Sequence, residues 1–248
     1  MNMEKITKNQ VKLVRSLARK KERDQLGLFV AEGEKCVSEL MKTFRLVLRA
    51  DATNATSLEL EQMSSLRTPQ GVVAVFRQPE PTPLNLPELA EKELVLMLDG
   101  VQDPGNLGTI IRTADWFGVH NIVCSHETAD CWSPKVVQAT MGALARVHVH
   151  YTDLLADLSH LSNLSNHSLI PIYGTLLDGR NLYAKNALPQ KHHGIIIMGN
   201  EGNGISSALR PLVTHPLFIP PYPTGAETSE SLNVSIATAI ILAEFRRP

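Results

Sequence analysis

Short apolar runs recur along the whole chain, broken by polar stretches rich in glycine and proline. Two of them, 94–98 (LVLML) and 194–198 (GIIIM), are apolar at nearly every position, the pattern of strands buried on both faces. Runs at 121–125, 146–151, 169–177 and 216–219 read as further strands. Helical segments join them, so residues 94–248 predict an α/β fold with a parallel sheet and helices on both faces. The sharpest helical signal follows 94–98. Pro104 suits a first turn and Gly118 an end. Leu107, Ile110, Ile111, Ala114 and Phe117 recur at the spacing of one buried stripe, and Thr109 and Arg112 fall off it. An apolar helix covers 236–245, with Arg246 and Arg247 placed to complement its C-terminal dipole. The Ser/Asn-rich stretch 159–168 reads as a helix end and loop.

The first third carries a smaller pattern. Strands are predicted at 26–31, 45–49 and 71–77, with helices over 33–42 and 57–66, which makes a small α/β unit over 1–77. Prolines at 79, 81, 83 and 87 mark 78–93 as a linker, because proline lacks the N–H that helices and central strands need. In the opening 25 residues Ile6, Val11, Leu13, Val14, Leu17 and Ala18 alternate with Lys5, Lys8, Lys12, Arg15, Arg19, Lys20, Lys21 and Arg23, the pattern of a basic amphipathic helix.

Charge changes this picture. The chain has 24 basic and 25 acidic residues, a net of −1 that argues against a nucleic-acid partner. Split at residue 50, it becomes 12 basic against 6 acidic, then 12 against 19. Half of the cations lie in the first fifth of the chain, where they predict either a solvated helix face or a phosphate-contacting surface. No run reaches the roughly 18–20 apolar residues of a membrane span. The opening residues have no apolar core of a secretory signal. Three scattered cysteines (Cys36, Cys124, Cys131) fit a reducing cytoplasm. Cys124 and Cys131 lack a second ligand pair, so no metal is expected. His192-His193 reads as loop, and no G-x-S-x-G elbow occurs.

Candidate chemistry gathers in three loops at predicted strand ends, where open α/β sheets bind ligands. The first runs from Leu98 through Asn106 and Arg112; a pairing of Arg112 with Asp115 is the plain alternative to a functional role. The second, 195–206 (IIIMGNEGNGIS), has Gly199, Gly202 and Gly204 around Asn200 and Glu201, which permit close backbone approach to a ligand. It is not a Walker loop, and the partial glycine pattern of the first loop leaves a dinucleotide reading open. The third runs from 218 to Ser231-Leu232-Asn233-Val234-Ser235, where Ser229 or Ser231 could simply cap a helix.

Together the three loops resemble the motifs of the SpoU (TrmH) RNA ribose 2′-O-methyltransferases of the SPOUT superfamily. Asn106 to Arg112-Thr113 with Phe117-Gly118 is similar to the first motif, 198–202 to the second, and Ile219-Pro220 with 231–235 to the third. Segments 28–33 and 68–71 resemble the family's L30e-like substrate-binding domain. One departure is a ten-residue link, 221–230, where the family usually has a shorter one. The resemblance implies a C-terminal trefoil knot, a homodimer completed across its interface, and S-adenosylmethionine as cofactor. Thr175, Gly199, Asn200, Gly202, Ile219, Pro220, Ser231 and Leu232 would then hold the cofactor. Arg112, Asn106, Glu201, Ser231 and Asn233 would carry catalysis. RNA, ribosomal more than transfer RNA, would be gripped by Lys12, Arg15, Arg19, Lys20, Glu32 and Arg112. A non-catalytic RNA-binding protein of the same fold is the competing expectation.

Overall fold

The computed structural model describes residues 5–163, 170–184, 187–188, 193–223, 227 and 229–247. The loop expected up to residue 168 therefore lies outside the described residues from 164 onward, as do His192 and, within the ten-residue link, residues 224–226 and 228. The chain divides into two compact units: Met1–Thr82 with Asp130–Arg146, and Pro83–Ala129 with Val147–Pro248.

The first unit opens with α1 (Lys8–Ser16) and α2 (Lys20–Leu26), followed by β1 (Leu28–Glu32), α3 (Glu34–Leu40), β2 (Leu46–Ala50), α4 (Ser57–Met63) and β3 (Val73–Arg77). The three strands form an antiparallel sheet in the order β1-β3-β2. Thr7 starts α1 through a capping box with Gln10, each side chain bonding the other residue's backbone amide. The single basic helix expected here is two helices. The break is held by Arg23, whose guanidinium donates to the carbonyls of Leu17 and Ala18 at 2.8 and 2.9 Å and so satisfies acceptors left at the end of α1. Arg23 is thus buried and is not among the cations facing solvent.

The second unit begins inside the expected linker. Asn85 caps α5 (Leu86–Lys92), with Pro87 in the first turn where its missing N–H costs nothing. Leu86 and Ala90 are buried against Val95, Ile195 and Leu158, so packing decides the outcome there. Then come β4 (Leu94–Leu98), α6 (Pro104–Trp116) and β5 (Asn121–Cys124). The α6 stripe is as predicted over its first four positions: Leu107, Ile110, Ile111 and Ala114 are fully buried, Thr109 and Arg112 are exposed, and Gly118 adopts a positive φ of 64°; the fifth, Phe117, is the half-buried C-cap, past the last helical residue.

After Ala129 the chain leaves the second unit, and residues 130–146 pack entirely within the first. This excursion holds α7 (Pro134–Thr140), which packs against β1. Two contacts anchor it. Trp132 joins Phe29 and Phe44 at ring-centre distances of 4.8 and 5.8 Å. Asp130 pairs with buried Arg23, with nitrogen-to-oxygen distances of 2.5 and 3.2 Å. An uninterrupted second domain over 94–248 therefore differs from the structure at 130–146. Cys36 lies beneath α7 beside the Val137 carbonyl, where burial pushes its thiol up to about 11 and keeps it protonated.

The chain then returns through β6 (His148–Tyr151), α8 (Leu154–Asn163), β7 (Ile172–Asn181), β8 (Gly194–Met198), β9 (His215–Phe218) and α9 (Val234–Phe245). The six strands form a parallel sheet in the order β6-β5-β4-β8-β7-β9. Central β4 and β8 are wholly buried, and the partly exposed, proline-bearing β9 takes an edge, where a missing N–H is tolerated. Strand β7 is longer than expected and passes Leu217 twice, pairing with it through Thr175 and again through Arg180. Gly179 makes the second pass possible, since a Cβ there would lie 2.5 Å from the Leu217 carbonyl carbon.

Removing the Asp130 carboxylate leaves Arg23 charged and buried without its partner. Asp130→Ala should lower unfolding free energy by about 3–5 kcal/mol, measured by urea denaturation; a change within experimental error would show that the pair does not anchor the excursion.

Candidate functional site

All three loops lie in the second unit, beyond the C-terminal ends of its strands. Strands β4 and β8 are neighbours, and the chain proceeds from β4 to β5 on one side while β8 flanks it on the other. That is the switch point at which ligands bind in open parallel sheets.

The loop after β4 is pinned first. Asn200 donates to the Gly100 carbonyl at 2.7 Å, and Asp99 accepts from the Ser206 amide at 2.7 Å, so the loops after β4 and β8 are laced side by side. Asp103 then caps α6 by accepting from the Asn106 amide at 2.9 Å. This orients the Asn106 side chain to its two partners. Its nitrogen donates to Glu201 at 2.8 Å, and its oxygen accepts from Asn233 at 3.0 Å. One amide thus joins all three loops.

The glycine loop after β8 closes on itself. Asn200 and Gly204 exchange two backbone hydrogen bonds, each 2.9 Å, and the Asn200 oxygen accepts from the amides of Gly202 and Asn203. These amides are occupied, so they do not form a cradle for phosphate; in the first loop, Gly105 and Gly108, on which the dinucleotide reading rested, lie within α6. Gly199 is needed for the loop itself: a Cβ there would lie 2.1 Å from the Gly204 carbonyl carbon. The close approach expected at Gly199 is therefore between two stretches of this chain's own backbone.

The third loop enters α9 through Asn233, whose oxygen accepts from the Ser235 amide and hydroxyl at 3.0 and 2.6 Å and from the Ile236 amide at 3.4 Å. Asn233 is the cap, in place of either serine expected there. Arg246 also differs from expectation. It donates to the carbonyls of Phe117 and Gly118 at the end of α6, joining α6 to α9, rather than serving its own helix. Arg112 is exposed on α6 and makes no hydrogen bond or ion pair among the described residues, so the pairing with Asp115 is not formed. Of the expected catalytic residues, Asn106, Glu201 and Asn233 are bonded in a chain, Ser231 is exposed two residues before Asn233, and Arg112 stands free two turns along α6.

The expected cofactor residues line the C-terminal edge. Thr175 lies at the end of the first β7 pass, its hydroxyl 4.0 Å from the Met198 sulfur. Gly199 is buried, Ile219 and Pro220 are half-buried, and Leu232 is 47% exposed although apolar. Ile219 and Leu232 offer apolar side chains, and Pro220-Pro221 offers carbonyls but no N–H groups, a set of groups that suits an uncharged purine nucleoside. The donor set therefore fits the adenosine part of S-adenosylmethionine.

In the first unit the expected RNA-contacting cations Lys12, Arg15, Arg19 and Lys20 are all exposed on or beside α1 and α2. Glu32 is not. It is 3% exposed, and its oxygens accept from the Ser64 hydroxyl (2.5 Å) and from the Ser65 amide and hydroxyl (2.7 Å each). A carboxylate so enclosed shapes the loop after α4 and presents nothing to a phosphate.

The second unit is thus an α/β fold whose three loops are tied at a switch point, with Arg112 unpaired among the described residues on α6. Residues 93–243 match the SpoU rRNA Methylase family and residues 8–74 match the MRM3-like substrate binding domain; the chain belongs to the SpoU rRNA methylase family. It is 34% identical to the 23S rRNA (guanosine(2553)-2′-O)-methyltransferase RlmP of Bacillus subtilis, over 96% of this chain and 97% of that one. A TrmH-family protein from Porphyromonas gingivalis superposes with a TM-score of 0.83 at 39% identity, covering 98% of both chains. An AdoMet-bound rRNA methyltransferase from Sinorhizobium meliloti superposes with a TM-score of 0.83 at 28% identity, covering 99% of this chain and 97% of that one.

The two capping assignments separate cleanly by mutation. Asn233→Ala should cost about 1–2 kcal/mol of stability, whereas Ser231→Ala should stay within about 0.5 kcal/mol. Chemical denaturation of both variants decides, and equal losses would refute Asn233 as the cap.

Proposed function

We infer that this protein is an S-adenosylmethionine-dependent RNA methyltransferase that modifies a ribose 2′-hydroxyl in ribosomal RNA. The observation that carries the reading is the bonded chain Glu201–Asn106–Asn233 with Arg112 free on the same helix. The names of the relatives above favour ribosomal over transfer RNA, and the intact polar chain favours an enzyme over an inert binding protein.

The cofactor supplies a methyl group already activated on a sulfonium. The chain's own residues must position and activate the acceptor. Thr175, Gly199, Asn200, Gly202, Ile219, Pro220, Ser231 and Leu232 would hold the cofactor, Ile219 and Leu232 offering it apolar surface. A ribose hydroxyl is a weak nucleophile until its proton is lost or its developing charge is stabilised. Arg112 carries a guanidinium, which has donors and no acceptor, so it acts through its charge: it grips the neighbouring phosphate and stabilises the forming alkoxide. It makes no ion pair among the described residues that it would have to give up to do so. Asn106, Glu201, Ser231 and Asn233 hold the ribose, and the pinned amide of Asn106 fixes the direction of its hydrogen bonds before the substrate arrives.

The first unit captures RNA through Lys12, Arg15, Arg19 and Lys20. The trefoil knot belongs to the β7–β9 region, a reading supported by the double pass of β7 beside Leu217. A second copy of the chain covers α9 and its neighbour α6, supported by the exposure of Ile236 (51%) and Trp116 (85%) on these two packed helices. A cytoplasmic location suits three buried free cysteines, and no helix among the described residues is long and apolar enough to cross a membrane.

Arg112→Ala should reduce methyl transfer to ribosomal RNA by at least about 10²-fold while cofactor affinity, measured by calorimetry, stays unchanged. Near-normal turnover would reject the assignment. Neutralising Lys12, Arg15, Arg19 and Lys20 together should flatten the salt dependence of RNA affinity by about 0.7 in log–log slope for each lost contact. An unchanged slope would place capture elsewhere.

A further inference from the structure

The first unit contains a cavity of about 410 Å³ that none of the roles above uses. It opens between α1 and the end of α4, and its size falls within the roughly 300–1,000 Å³ of small-molecule sites. Its floor is apolar, formed by Val14 and Val30, which are 3% and 4% exposed. Its rim is polar: Arg15 from α1, then Glu61, Gln62 and Ser65 around the end of α4. The rim is held in shape from beneath, because buried Glu32 takes the amide and hydroxyl of Ser65 and the hydroxyl of Ser64.

Two observations point to the occupant. The side chains of Arg15, Glu61 and Gln62 make no hydrogen bond among the described residues, so a cation, a carboxylate and a planar amide are all free at one rim. Amide and carboxylate together offer donors and acceptors at the edge of a flat heterocycle, and a guanidinium plane stacks on its face. The cavity also lies at the end of a row of cations. Lys8, Lys12 and Arg15 follow an i, i+4, i+7 spacing on one face of α1, and all three are exposed. A polyanion drawn along that row is led to a flat, apolar-floored slot.

We propose that this cavity receives one unpaired nucleobase of the RNA, so that the first unit reads base identity as well as backbone charge. The proposal rests on the RNA-capture reading above and adds a specificity site to it. Sequence-specific readers of RNA work on bases splayed out of helices, which this slot requires.

The test separates backbone from base. Short oligonucleotides of stable abasic residues, carrying either no base or one central A, C, G or U, are titrated against the full-length protein by fluorescence anisotropy. One base should strengthen binding over the bare backbone by at least about fivefold, unequally among the four bases. Gln62→Ala should reduce that gain, and Ala18→Trp, which fills the cavity from an exposed rim position, should abolish it. Both variants should keep the wild-type affinity and salt slope for the bare backbone, which also shows that they fold. Equal affinity with and without a base, or a gain that survives Ala18→Trp, overturns the pocket while leaving RNA capture intact. Failure of every oligonucleotide to bind the wild-type protein overturns RNA capture itself.

Discussion

The side-chain amide of Asn106 is the point on which the arrangement of the catalytic unit depends. Loops 95 and 127 residues further along the chain meet the first one there, the amide nitrogen giving one hydrogen to Glu201 and the oxygen accepting one from Asn233. Few side chains carry a donor and an acceptor on so short a stem. An aspartate would bring a second carboxylate against Glu201, and an apolar residue would leave both partners unanswered. Around this point the loops are shaped by contacts within the protein: Asn200 to Gly100, Ser206 to Asp99, and the Gly199 backbone against Gly204. The site is therefore organised before any ligand is present, and preorganisation is what makes electrostatic stabilisation of a reacting group effective.

Legibility in the sequence followed burial. Strands β4 and β8 begin and end where their apolar runs do, because a strand buried on both faces leaves no ambiguity of period. The α6 stripe was equally plain. Strand β7 ran past its expected end because Asp178, Gly179, Arg180 and Asn181 carry no strand signal; pairing with β9 imposes the conformation. The proline-rich linker concealed α5 for a related reason, since prolines in a first turn look the same as prolines in a loop. The excursion 130–146 was invisible, because nothing local in Asp130 or Trp132 says which distant residues they will meet. In the site, motif similarity located the residues, but geometry reassigned what some of them do. Asn233 is a helix cap as well as a site residue, Gly199 answers to backbone crowding, and Glu32 is an internal anchor.

Charge had to be read at the level of side chains. The sum of −1 conceals an excess of cations in the first fifty residues. That excess in turn includes Arg23, which is buried and committed to the fold. Exposed cations on α1 form an ordered row, and the arginine in the catalytic unit is unpaired. The electrostatics of the two units thus differ: cations spread over a helix face in one, and Arg112 unpaired among the described residues in the other.

The excursion between β5 and β6 has a consequence for inheritance. Neither unit is a continuous stretch of chain, so no single cut separates them. A fragment beginning at residue 83 would carry Trp132 and Asp130 away from the aromatic cluster and the arginine they complete, and the fragment left behind would hold a guanidinium deprived of its carboxylate partner. Recombination that joined the first unit to another α/β unit would have to borrow seventeen residues from inside that partner's sheet connection. The two halves of this protein are therefore separable in function but not in descent, and a change at the base of either one must be tolerated by both.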